Sequence, residues 1–177
     1  MSSTKKLTFS ALIAALSLLC LAGSALLPRI TLSLAALAGL FPAAAVIVCG
    51  YGWAAGASAA AAVLALLLLP DKTAGIWFAC FFGHYPIWKA LIERFQTRQG
   101  KPLYGWILKV LGFALCMVLL YFLFRSFFAA AIPYDFTASP AGPVILAVVL
   151  VAAFVVYDIA FSILIGWFRI KILPKLK

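Results

Sequence analysis

The chain is a succession of apolar runs, each near twenty residues long, separated by breaks of only a few residues. A helix needs about 20 apolar residues to cross a hydrocarbon core about 30 Å thick. Residues 7–27, 31–50, 53–69, 75–91, 106–124 and 143–168 meet or approach that length. Lipid offers no partner to a backbone amide, so runs of this kind satisfy their peptide groups internally, as helices. The expected fold is an all-α membrane protein, a compact bundle of six transmembrane helices forming one transmembrane domain over 1–177. The composition points the same way. With 67% hydrophobic and 10% charged residues, the chain has too little polar surface to coat a water-soluble domain of its size.

Fourteen Lys and Arg against four acids give a net charge of +10. In a soluble chain that balance would point to nucleic acid. Here the bases gather at the ends of apolar runs, where they set topology and meet anionic lipid, so nucleic acid is excluded as a partner and membrane lipid is expected. Lys5, Lys6, Arg94, Arg98, Lys101, Arg169, Lys171, Lys175 and Lys177 fall on one side of a six-span chain. Arg29, Lys72 and Arg125 fall on the other, offset by Asp71 and Asp135. Both termini are therefore expected in the cytoplasm, with the protein in a cell membrane, of the prokaryotic cytoplasmic kind. The first run has the look of a signal peptide, with small residues in "LAGSA" at 21–25, and is read as a retained span.

Local punctuation gives further expectations. Phe41–Pro42 should interrupt the second span, and Asp71 in "PDK" should cap the helix that follows it. Pro86 removes a donor and frees the carbonyl near Phe82, bending the fourth span. Lys89 should snorkel to the cytoplasmic face with Glu93 as its i+4 partner. The sixth span is long enough to tilt.

Helices in lipid associate through close packing and polar contacts, so rows of small residues matter. In the first span Ser10 pairs with Ala14, and Ala11 with Ala15, at a spacing of four. These four residues are the candidate interface for another membrane subunit, or else internal packing. In the third span Gly52, Gly56 and Ala60 form one row and Ala55 and Ala59 a second. Packing within the bundle is the expected role of both.

Ionisable groups at depth are expensive and point to function. His84, the chain's one histidine, lies nine residues past Gly75 and ten before Arg94. At about 1.5 Å per residue that is roughly 14–15 Å from either edge. A neutral imidazole both donates and accepts a hydrogen bond. Trp77, Phe81 and Trp88 fall at i−7, i−3 and i+4 of His84, on its face of a regular helix. Asp158 is also well inside its span, with Ser162 one turn on as a hydrogen-bond partner. Arg125, Tyr134 and Asp135 flank a semi-apolar loop suited to covering a pocket. The candidate ligand-binding set is thus His84, Trp77, Phe81, Trp88, Asp158, Arg125 and Asp135, alongside ordinary packing as the alternative. Cys20, Cys49, Cys80 and Cys116 lie in apolar runs at no metal-ligand spacing and read as small apolar residues. No metal, no cofactor and no catalytic constellation is expected; no G-x-S-x-G or phosphate loop occurs, so ATP would have to be used by partners.

The N-terminal "KKLTFSALIAALS", the A-x-x-x-A of Ala11–Ala15 and six spans in under 200 residues resemble the substrate-binding S-components of energy-coupling-factor (ECF) transporters. The resemblance covers the chain in architecture and the first span in motif; Ala11 and Ala15 alone match a motif position. It implies that the span-one alanine face meets a transmembrane T-component and that two ATPase subunits supply energy. It also implies that the outer halves of later spans bind a vitamin-like small-molecule substrate. "MSSTKK" lacks the Met-His of the nickel and cobalt members, and no thiamine, riboflavin or biotin signature occurs. A cell-envelope scaffold of the MreD type is similar in size and span number, and is the alternative.

Overall fold

Backbone that cannot find water turns helical, and the chain does so along nearly all its apolar length. The computed structural model describes residues 2–99, 102–123 and 142–171, and among these there is no strand. The helices are α1 (Ser3–Leu26), α2 (Thr31–Ala38), α3 (Leu40–Cys49), α4 (Tyr51–Leu68), α5 (Thr73–Trp77), α6 (Tyr85–Gln99), α7 (Pro102–Leu123) and α8 (Gly142–Lys171). A 3₁₀ turn at Pro28–Ile30 joins α1 to α2, and a π-helical turn at Phe78–Phe82 follows α5. Five stretches among the described residues are long and apolar enough to cross a membrane: Ser3–Leu26, Thr31–Cys49, Tyr51–Leu68, Leu103–Phe122 and Val148–Phe168. The protein is an all-α, multi-pass membrane bundle. The fourth apolar run, expected as one span over 75–91, is divided among α5, the π turn and α6.

The chain separates into two units, Met1–Lys109 and Val110–Lys177, the division falling within α7. In the first, α1 packs against α2, α3 and α4, α3 packs on α4 and α6, and α5 with the π turn lies on α2. Its core is mostly alanine: Ala35, Ala38, Ala45, Ala54, Ala61 and Ala65 are fully enclosed. Small side chains let helix backbones approach closely, which drives association where lipid tails match leucine in polarity. A β-carbon at Gly75 would already touch Ala65 at 3.3 Å. Many leucines, by contrast, point outward: Leu7, Leu12, Leu19, Leu67 and Leu68 are exposed, while Leu21 and Leu69 are buried. That inside-out distribution suits a bundle whose solvent is hydrocarbon.

Two helix breaks organise this unit, and each follows the same chemistry. Pro42 sits inside α3 and has no N–H to offer the Ala38 carbonyl four residues back. The buried Ser17 hydroxyl of α1 donates to that oxygen instead, at 3.4 Å. The second span therefore breaks at Gly39, just before the expected Phe41–Pro42, because the effect of proline is felt one turn upstream. Pro86 likewise leaves the Phe82 carbonyl without its helical donor. The chain responds with a wide turn, the Gly83 N–H bonding five residues back to the Phe78 carbonyl at 2.7 Å. Ile87 N–H then donates to His84 rather than to Gly83. The Gly83 carbonyl so released accepts the buried Ser58 hydroxyl of α4. The two breaks touch: a β-carbon on Gly39 would lie 2.6 Å from the Phe82 carbonyl oxygen, and one on Gly83 would lie 2.9 Å from both Ser58 Oγ and the Phe78 carbonyl. Only glycine fits at either place.

Between α4 and α5 the chain ends are closed by side chains. Lys72 Nζ donates to the Leu67 and Leu69 carbonyls at the end of α4. Asp71 Oδ1 accepts the Thr73 N–H at 2.9 Å, but the N-cap position of α5 falls to Lys72 and carries no side-chain capping bond, so Asp71 is a local turn contact one residue before the expected cap.

In the second unit the Phe113 and Phe154 rings stack with centroids 4.5 Å apart and planes 18° from parallel. Phe154, Phe161 and Leu120 are buried there. With 30 residues α8 is roughly 45 Å long, more than the hydrocarbon thickness, as expected of a tilted or projecting span. Lys171 near its end lies over the Trp167 ring at 5.6 Å.

Candidate functional site

The two small-residue rows of α1 part company. Ser10 and Ala14 are buried, in line with Ile13, Ser17, Leu21 and Ser24 on the face that meets the other helices. Ala11 and Ala15 are exposed. A shift of one residue turns a helix by about 100°, enough to separate an inward row from an outward one. Of the four residues proposed as a partner interface, Ser10 and Ala14 are thus taken up by internal packing and Ala11 and Ala15 are open. On α4 the outcome differs from expectation. Ala54, Ala57, Ser58, Ala61, Ala62 and Ala65 face inward, while Gly52, Gly56 and Ala60, with Ala55 and Ala59 beside them, are exposed. No atom outside the helix lies within 4 Å of a β-carbon built on Gly52 or Gly56.

His84 sits at the π break, and the break decides its surroundings. Its N–H donates to Phe81 at 3.2 Å, and its carbonyl accepts from Ile87 and Trp88 at 3.0 and 3.1 Å, so it opens α6. Its side chain is exposed. Trp88, one turn along α6, is also exposed, whereas Phe81 is buried and packs edge-on to Phe82 at 5.0 Å and against Tyr85 at 5.1 Å. Trp77 is half-buried in α5. The face expected to carry all four aromatic and imidazole groups therefore divides: Phe81 turns into the core, and His84 and Trp88 turn out.

Five residues beyond His84 lies a charged node that the sequence shows only in part. Lys89 is almost wholly buried, with Nζ 3.3 Å from Glu93 Oε1, the i+4 pair expected. Instead of snorkelling outward, the ammonium stays inside. Lys109 of α7, only 7% exposed, reaches the same Glu93 oxygen at 3.3 Å and stands 5.4 Å over the Trp106 ring. The carboxylate itself is 48% exposed. Of its two charge-assisted contacts, the one to Lys89 lies within α6 and the one to Lys109 joins α6 to α7. The spacing of Trp106 and Lys109, i to i+3 at the start of the fifth span, was the available signal for Lys109.

In the second unit Asp158 is 2% exposed. The Ser162 hydroxyl, expected to serve the carboxylate, donates to the Asp158 backbone carbonyl at 2.7 Å. Arg125 and Asp135, the proposed loop contacts, lie outside the described residues. Among the described residues no three His, Cys, Asp or Glu side chains gather where a metal ion could be held. None of the four cysteines is in a disulfide. What the first unit offers chemically is an outward imidazole and indole one turn apart, an outward alanine row, and a buried ion-pair node. No protein-family model matches the chain, and no curated protein or solved structure matches it either.

Proposed function

We propose that this chain is the substrate-capture membrane subunit of an ECF-type uptake transporter, taking a vitamin-like small molecule from outside the cell. Both termini are cytoplasmic in this reading, and a T-component and two ATPase subunits supply the energy. The observation that carries the proposal is the outward row of Ala11 and Ala15 beside the inward row of Ser10 and Ala14. The one pair that matches the family's motif is also the pair left open for a partner helix. The exposed His84 and Trp88 supply a hydrogen-bonding and a stacking group for a flat, partly polar ligand.

The test is co-purification from mild detergent. Capture of a T-component and ATPases that weakens with Ala11→Leu or Ala15→Leu supports the reading. Association with cell-wall synthesis proteins, untouched by those changes, would instead mark an MreD-type scaffold. For the ligand, a thermal-shift panel of vitamins is the assay, and a response lost in His84→Ala is the expected result. No response to any vitamin in the panel would count against capture.

A further inference from the structure

We draw no further inference here: the strongest candidate, the open outer face of α4 formed by Gly52, Gly56 and Ala60 with Ala55 and Ala59, is a row of small residues, and nothing in the structure shows what covers it.

Discussion

Replacing Ser58 by alanine isolates the logic of the fourth-span break. The hydroxyl of Ser58 is 1% exposed and donates to the Gly83 carbonyl, which the π turn has deprived of a backbone donor. A buried hydrogen bond is worth about 1 kcal/mol net, and a stranded buried carbonyl costs about 1–3 kcal/mol. Inter-helix bonds in membrane bundles average about 0.6 kcal/mol and reach about 1.7. Ser58→Ala should therefore destabilise by about 1–2 kcal/mol. At about 2–4 °C per kcal/mol for a chain of this length, the unfolding midpoint in detergent should fall by about 2–8 °C. The matched control is Ser24→Ala. Ser24 is equally buried, but its hydroxyl donates to Leu21 within α1, whose carbonyl also has a helical donor. That change should stay within about 0.5 kcal/mol, the range of substitutions that break no special feature. Isotope-edited infrared spectroscopy of a labelled Gly83 carbonyl gives an independent readout, moving to higher frequency when Ser58 is removed. Equal melting shifts for the two variants, with an unmoved Gly83 band, would refute the account of the break.

Three further outcomes are expected. Ala14→Leu places a large side chain in the buried row of α1 and should destabilise by about 1–3 kcal/mol, whereas Ala11→Leu on the exposed row should leave the melting temperature unchanged; a comparative melt checks both. Glu93→Gln removes the carboxylate shared by two buried lysines. Because that carboxylate is half exposed, the loss should fall at about 1–3 kcal/mol, between surface and buried pairs, and chemical denaturation of the purified protein measures it. Phe154→Ala removes one half of the Phe113 stack and should destabilise by about 3–5 kcal/mol, read as a lower midpoint in the same denaturation assay.

Five of the six expected spans were legible because the length of an apolar run records the thickness of the medium around it. The Lys89–Glu93 pair was legible because its bond closes within four residues; the Asp71 contact was legible as local, though the cap position itself fell one residue later, at Lys72. The π turn was not. Its register depends on a serine twenty-five residues away in α4, and sequence spacing around His84 assumes an unbroken helix. The orientation of the α4 rows was hidden for a different reason. When nearly every position of a helix is Ala, Gly or Ser, hydropathy has no contrast with which to tell inside from outside. Lys109 was missed because its partner is sixteen residues back, across a loop, at a distance no helical period connects.

The shared carboxylate of Glu93 has a bearing on the order in which its two ion pairs can form. Lys89 enters the bilayer with its counter-charge on the same helix, four residues behind it. Lys109 does not; the carboxylate it uses belongs to the preceding helix. Lys89 is thus paired as soon as its own helix forms, whereas Lys109 is paired only once α7 has docked against α6.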